Sequence, residues 1–508
     1  MAQDNTLGTI DVSSGKYGHM LQSKAVGLTG VLFLTVTGAA PMSAMLGNVP
    51  FGAGSGNGTH IPAAFALATI VLTIFSIGYA AMASRVSSAG GFYTFISQGL
   101  GREIGMSAGI TSLFAYSIFE ASLYGLFAFF GNAWVKSHLG IDIAWPWFAL
   151  FAVVLAAVFS YRDVKLSAAI LGVALILEVL MLAIFAIGVI SAGSGTSFST
   201  ESLNILHVTQ PVVEQKVGGV AIGAGLAAVG IFMAFWSWVG FEMAPNYAEE
   251  SRDPKRIIPK SLYFSVIGLG IFYTFVSWCA VSAFPTEGDM LAKAVGDSSN
   301  FFLGPIETFV GTWAKELMGV LILTSSFACG MAFHNTASRY MYSLGREGVL
   351  PSIVGKTHAT YKSPYMASIV QSAFAAFWIV LFMIFMGSND PTAQAYVGVY
   401  TMLAVLGTAL LLILQAVVSI AIIMYFQKHG GGNPLTTMAA PLVACVSQIY
   451  LVYLLFTNVN VLGGAALFFS MIPWISIAII AIGLVWGFAL KSINPKAYQN
   501  IGHMVNNG

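Results

Sequence analysis

Three acidic residues of this 508-residue chain lie inside long apolar runs: Glu120, Glu178 and Glu242. A carboxylate at mid-bilayer depth costs about 3 kcal/mol even on the lenient insertion scale, so each needs a proton, a cation or a hydrogen-bonding partner. No Lys or Arg falls at matching depth, which leaves protons, a metal cation or a cationic ligand. Glu178 is flanked by Leu175, Ile176, Leu177, Val179 and Leu180, an apolar setting suited to reversible protonation. For Glu120, a neutral acid bonded to a neighbouring helix and a contact with substrate weigh equally. His334 and Asn335 fall late in an apolar run, and a lone histidine there reads as a helix contact before a proton relay.

Two segments could add backbone groups to this chemistry. Val36-Thr37-Gly38-Ala39-Ala40-Pro41-Met42-Ser43 and the stretch from Phe235 to Pro245 each place Gly and Pro half-way through an apolar run. Proline removes an amide donor and clashes with the preceding turn, while glycine permits strained angles, so carbonyls and amides can be freed at membrane depth. Ordinary kinks are the blander alternative, and Gly219, Gly223 and Gly230 have the spacing of close helix packing. Glu242 sits inside the second break, and Trp236 and Trp238 there could form an apolar or cation-attracting wall. Trp134, Trp145, Trp147 and Trp313, near the ends of apolar runs, read as interfacial anchors.

The elements that must position these groups follow from composition. Hydrophobic residues make up 57% and charged residues 8% of the chain, with a mean hydropathy of +0.82. That is too little charge to coat a soluble globule of this length, so the chain belongs in a bilayer. With 21 basic against 20 acidic residues it lacks the basic excess of a nucleic-acid binder. Cys279, Cys329 and Cys445 are far apart in apolar runs and suggest neither a disulfide framework nor a metal site. Gly355-Lys356-Thr357 lacks the upstream glycine of a phosphate-binding loop, and no HExxH or GxSxG is present. No enzyme, cofactor or metal is expected.

Backbone groups in hydrocarbon must be satisfied internally, so each stretch of about 20 apolar residues predicts a helix. Twelve are expected, near 25–48, 61–83, 106–133, 145–160, 166–190, 218–247, 261–283, 317–343, 365–386, 397–426, 437–457 and 465–490. The run Gly52 to Gly58 predicts a flexible turn between the first two. Alternating the loops puts 17 of the 21 basic residues on one side, leaving Lys136, Lys216, Lys293 and Lys315 on the other. Positive residues resist translocation, so both termini are expected in the cytoplasm.

Three motifs then resemble a known family. FWSWVGFEMAPNYAEESRDPKRIIPKS, Phe235 to Ser261, looks like the sixth-helix signature of the amino acid/polyamine/organocation permease superfamily. SSAGGFYTFISQGLGREIG, Ser87 to Gly105, is similar to its loop between helices two and three, and SRYMYSLGREGVLPSIVGKTHATYKSP, Ser338 to Pro364, to its loop after helix eight. The resemblance covers essentially the whole chain and is to the bacterial amino acid permease type. It implies an all-α membrane protein of twelve transmembrane helices, with a leucine-transporter-like inverted repeat of five plus five and broken helices 1 and 6. The repeats would be 25–192 and 218–427, with two additional helices at 437–490, a cytoplasmic N-terminal segment 1–24 and a tail 491–508. It also implies alternating access around the two breaks, a gate residue at Trp236, and the family carboxylate at Glu242. Many relatives carry Gly-Ser-Gly at the first break, where this chain has Thr37 to Pro41, so one possible donor to a substrate carboxylate is absent. Several proton-coupled relatives have a lysine in helix five, where this chain has Glu178.

The resulting expectation is a cytoplasmic-membrane secondary transporter importing an amino acid or related amine, coupled to protons. Thr37, Gly38, Ala39, Ala40 and Pro41, with Ser237, Val239, Gly240 and Phe241, would offer backbone groups to the ligand. Glu120 would favour its ammonium end, Trp236 and Phe241 would close over it, and Glu178 or Glu242 would carry the proton. The alternatives are a carrier or exchanger of polyamines or other organic cations, favoured by three carboxylates and Pro41, and a sodium-coupled symporter using Ser325 and Ser326. A channel or a non-transporting receptor fits less well, since neither needs two matched broken helices.

Overall fold

The computed structural model describes residues 26–87, 90–162, 164–248, 251–358, 361, 363–462 and 467–502. The expected N-terminal segment 1–24, Glu249 and Glu250 of the longest motif, Lys362 and the end of the C-terminal tail lie outside these residues. Among the described residues ten helices are long and apolar enough to cross a membrane. The first, Leu28–Arg85, covers both of the first two expected spans, and Trp145–Tyr161 is a shorter apolar helix at the expected fourth. The other nine each fall on one expected span. Long mutually packed helices satisfy their own backbone, which is what a chain this apolar requires.

Two local expectations are corrected. The glycine-rich run from Gly52 to Gly58 turns only at its end: helical turns, including the π-helical stretch Ala44–Asn48, continue to Ser55, and the chain kinks at Gly56 (φ −117°, ψ −112°) and Gly58 (φ 58°) before the second span. The missing side chains let this segment lie against the sixth span, so close that a Cβ on Gly56 would fall only 2.6 Å from the Gly230 amide nitrogen. The sixth span begins later than residue 218, as α-helix Ala227–Trp236. Residues before it form a hairpin, Gln215–Val217 paired antiparallel with Val220–Ile222, turned at Gly218 and Gly219, both with positive φ. Gly219 and Gly223 therefore pack against no helix, whereas Gly230 abuts Asn57. Trp145 is likewise no interfacial anchor. It is fully buried, its indole nitrogen donating to Gly387 O (3.3 Å) and Gln394 Oε1 (3.1 Å), while Trp147 and Trp313 are exposed.

Both mid-span breaks are present. Helix Leu28–Ala39 stops at Ala40, whose φ of 41° is left-handed, and helical turns resume at Pro41. Proline cannot continue a helix from the preceding turn but suits the first position of the next. In the sixth span the α-helix ends at Trp236 and a 3₁₀ segment Phe241–Tyr247 follows Gly240, whose φ is 118°.

One end of the bundle carries both described chain ends. Val26 bridges Ser251, and the Arg252 amide donates to Val26 O (3.0 Å). At the other terminus a short helix, Pro495–Asn500, follows the last long one. Tyr498 donates to Glu103 Oε1 (2.6 Å), with the Arg102 guanidinium 5.5 Å above its ring, and Gln98 donates to Gly502 O (3.4 Å). This tail lies under the loop helix Gly91–Leu100. That helix is tied to the eighth span by Tyr340, which donates to Gly90 O (3.0 Å), and by Tyr93, which donates to Glu347 Oε2 (2.5 Å).

These contacts set the stability of the bundle in two places. A Cβ on Gly240 would lie 2.6 Å from the Gly38 carbonyl carbon at a φ that L side chains rarely adopt. Gly240→Ala is expected to cost at least about 2 kcal/mol from backbone strain alone, read as a lower unfolding temperature and a smaller monodisperse fraction in detergent. Glu347, just beyond the helix Thr312–Arg346, is pushed by burial from the ordinary 4.5 up to about 7, although Tyr93 and Arg346 pull it down. The folded chain then holds this proton more tightly than the unfolded one, so stability should fall as pH rises from about 4.5 through about 7. Glu347→Gln should flatten that part of the profile of unfolding temperature against pH, and an unchanged slope would contradict the assignment.

Candidate substrate and coupling site

The two breaks lie backbone to backbone. Gly240 Cα faces the Gly38 position, and the close approach leaves room for no side chain at Gly240. Broken helices free amides and carbonyls that hydrocarbon cannot satisfy, so each freed group can be followed to its partner. At the first break the Ala40 amide donates to Val36 O (2.9 Å) and Ala44 to Ala40 O (2.9 Å). Pro41 has no amide hydrogen. Met42 donates to Glu178 Oε2 (3.4 Å) and Ser43 to Ser325 Oγ (3.3 Å). Gly38 O accepts from Cys329 Sγ (3.1 Å), and Ala39 O from the Tyr273 hydroxyl (3.2 Å). At the second break the amides of Ser237, Trp238, Val239 and Phe241 reach carbonyls within the segment, while Gly240 donates to Glu242 Oε2 (2.9 Å).

Glu178 and Glu242 thus occupy comparable positions, each accepting an amide at one break and a hydroxyl from another helix. Ser325 Oγ donates to Glu178 Oε2 (2.7 Å) and lies 3.1 Å from Ser43 Oγ. Tyr116 donates to Glu242 Oε1 (3.1 Å), and Tyr79 to the Glu242 backbone carbonyl (3.3 Å). Both carboxylates are buried. A carboxylate beside the first amides of a helical segment is favoured by the helix dipole as well as by the hydrogen bond. Ser326, by contrast, bonds back to Ile322 O (2.8 Å) of its own helix.

Above the breaks, Trp236 Nε1 donates to Tyr400 Oη (3.0 Å), Tyr400 donates to Asn48 Oδ1 (2.5 Å), and Asn48 Nδ2 donates to Ser237 Oγ (2.8 Å). This chain ties three segments together: the turns after the first break, the sixth span and the tenth. Trp236 also packs on Phe119, ring centroids 4.6 Å apart. Phe241 meets Phe75 edge-on at 6.1 Å, and Trp238 is fully buried between Phe65 and Tyr273. Trp236 and Phe241 therefore contact different neighbours, and Trp238 faces the second and seventh spans.

Glu120 has a separate environment. His334 Nδ1 lies 3.0 Å from its carboxylate, Gln371 Nε2 donates to Oε2 (2.7 Å), and His334 Nε2 is 2.8 Å from Ser368 Oγ. Its side-chain partners come from the eighth and ninth spans rather than from either break. Residues passed over in the sequence include Asn48, Tyr400, Tyr116, Tyr273 and Cys329. A single Asn in an apolar run was a readable signal; tyrosines and a cysteine there look like packing.

A helical membrane bundle whose two interrupted helices meet at their breaks, lined by buried carboxylates, defines a permease rather than an enzyme. A family model of amino acid permeases matches residues 26–485, and the chain belongs to that family. It is 27% identical over 318 residues to a low-affinity putrescine importer of Escherichia coli strain K12, covering 62% of this chain and 66% of the importer. It is 22% identical over 356 residues to a branched-chain amino acid permease of Bacillus subtilis strain 168, covering 67% and 68%. A γ-aminobutyric acid permease of Escherichia coli strain K12 is 29% identical over 159 residues, 31% of this chain and 33% of the permease. The chain thus spans about two thirds of the first two relatives.

Proposed function

We propose that the protein is a secondary transporter of the cytoplasmic membrane that imports an amino acid or related amine by alternating access, coupled to protons. The observation that carries this reading is Glu178, buried where it holds both the Met42 amide at the first break and Ser325 of the eighth span. A proton on that carboxylate changes how strongly it accepts from both, and so ties protonation to the geometry of the break. Glu242 stands in the same relation to Gly240 and Tyr116. Twelve transmembrane helices in a five-plus-five inverted repeat, 25–192 and 218–427, with two further helices over 437–490, complete the architecture, and the 17-to-4 division of basic residues supports cytoplasmic ends. Substrate would lie among Thr37 to Pro41, Ser237 to Phe241 and Trp236. A sodium-coupled variant draws less support, because Ser325 is engaged by Glu178 and Ser326 by its own helix.

Reconstitution into liposomes with an imposed pH gradient tests the proposal. Radiolabelled substrate should accumulate above its leak equilibrium, and collapsing the gradient should abolish accumulation. Glu178→Gln should lose the pH dependence of uptake while keeping facilitated exchange; wild-type pH dependence in that variant would remove Glu178 from coupling.

A further inference from the structure

The tenth span does not enter the bundle as a regular α-helix. Its first twelve residues, Pro391–Met402, are π-helical, and their side chains reach a second π-helical stretch, Ala44–Asn48, beyond the first break. π-Helical turns are rare and concentrate at functional sites, because they re-aim side chains that a regular helix would point elsewhere. Here two are aimed together. Tyr396 and Tyr400, stacked 5.9 Å apart, donate to Gly47 O (2.5 Å) and Asn48 Oδ1 (2.5 Å). A Cβ on Gly47 would lie 2.7 Å from Tyr400 Oη, so the missing side chain makes room for that hydroxyl. The Tyr400 backbone is held from behind, its carbonyl accepting from Ser122 Oγ of the third span (2.7 Å).

From Tyr400 the hydrogen bonds run in one direction. An indole nitrogen can only donate, and Trp236 Nε1 donates to Tyr400 Oη; Tyr400 donates to Asn48 Oδ1, Asn48 Nδ2 to Ser237 Oγ, and Ser237 to Met233 O (2.9 Å). Asn48 must accept with one atom and donate with another, which an amide does and an ionised carboxylate or an apolar side chain does not. All four side chains are buried, where each bond of a connected chain polarises the next. The chain starts on Trp236 and returns to its neighbour Ser237, so it closes a ring through the entry to the second break, the segment after the first break, and the tenth span. Asn48 leads on to Gly58 and the second span, and Trp236 descends from the hairpin 215–222. The ring therefore lies on the side of the breaks away from the described chain ends.

We propose that Asn48 is a positioning residue that locks Trp236 over the two breaks, and that releasing its hydrogen bonds opens the centre to the side away from the chain ends. The inference rests on the carrier reading above and adds the residue on which that opening depends. Asn48 acts through Tyr400 and Trp236 rather than on substrate.

Cys329 reports on the opening, since it is buried and its Sγ holds Gly38 O at the first break (3.1 Å). The full-length protein is placed in liposomes sorted by orientation through a tag on the chain ends, so that a membrane-impermeant maleimide meets only the opposite side. Modification of Cys279, Cys329 and Cys445 is then followed by peptide mass spectrometry. Asn48→Leu and Tyr400→Phe should each speed modification of Cys329 about tenfold, with Cys279 and Cys445 at the wild-type rate. The double variant should react no faster than either single one, because both break one chain. An unchanged Cys329 rate in both variants overturns the proposal, as do additive effects, which mark two independent contacts. A rise at all three cysteines overturns it too, since that marks a loosened fold. Tyr400→Phe keeps the packed ring and tests the lock even if Asn48→Leu fails to fold. With radiolabelled leucine or putrescine, a released lock should lower KM and the maximal rate together, because less binding energy is spent on opening and resealing slows; a fall in the maximal rate alone overturns the positioning role. Failure of the wild type to take up either compound counts against the carrier reading, and the labelling pattern alone then decides the lock.

Discussion

The contact on which the rest of the centre depends is between two backbones: Gly240 against Gly38. Two helices interrupted at membrane depth would each expose polar groups to hydrocarbon at several kcal/mol apiece. Setting the interruptions against each other confines those groups to one small region, where neighbouring helices can reach them. The identities of those neighbours then follow. Cys329 and Tyr273 supply donors to carbonyls of the first half-helix, and Ser325 and Glu178 take the amides that follow Pro41. At the second break Glu242 takes the Gly240 amide and is itself held by the Tyr116 hydroxyl, while Tyr79 donates to the Glu242 backbone carbonyl. Cys329 and Tyr273, unremarkable in sequence, thus satisfy carbonyls of a broken backbone.

Electrostatically, the two breaks repeat one arrangement. In each, a buried carboxylate joins a strained segment to a hydroxyl on a helix that is not broken. Because the same carboxylate takes part in both bonds, neither the charge nor the segment can change independently of the other. Long packed helices surround the short segments 40–43 and 237–240, where the regular helices are interrupted.

The elements could be read from sequence because apolar length is a coarse and robust signal: nine long helices fall on single expected spans, and Gly-Pro placement located both breaks. Two glycine-rich stretches were misread for opposite reasons. Gly52 to Gly58 looks like a turn by composition, yet only its end turns, at Gly56 and Gly58, while its small residues also permit close helix approach, with Gly230 opposite Gly56. Gly219 and Gly223 look like packing glycines, yet they belong to a hairpin and its exit. Composition alone does not separate these uses, since the distinction lies in what the facing segment offers. The same limit applies to Trp145, whose position near a helix end says interface while its partners, Gly387 and Gln394, lie over two hundred residues away in sequence.

The three intramembrane carboxylates, equivalent in sequence, are sorted by their partners. Glu178 and Glu242 touch the breaks, whereas Glu120 joins His334 and Gln371 in a fully buried group across three helices. Such a group adds little net stability over an apolar replacement, while removing one partner is costly. It joins the third span to the eighth and the ninth. Phe119 and Phe333, the residues immediately before Glu120 and His334, pack on each other at 5.0 Å, and Phe119 packs on Trp236. The buried polar group therefore lies directly behind those rings, with the Glu120 carboxylate held by His334 and Gln371 and the adjacent Phe119 packed on Trp236.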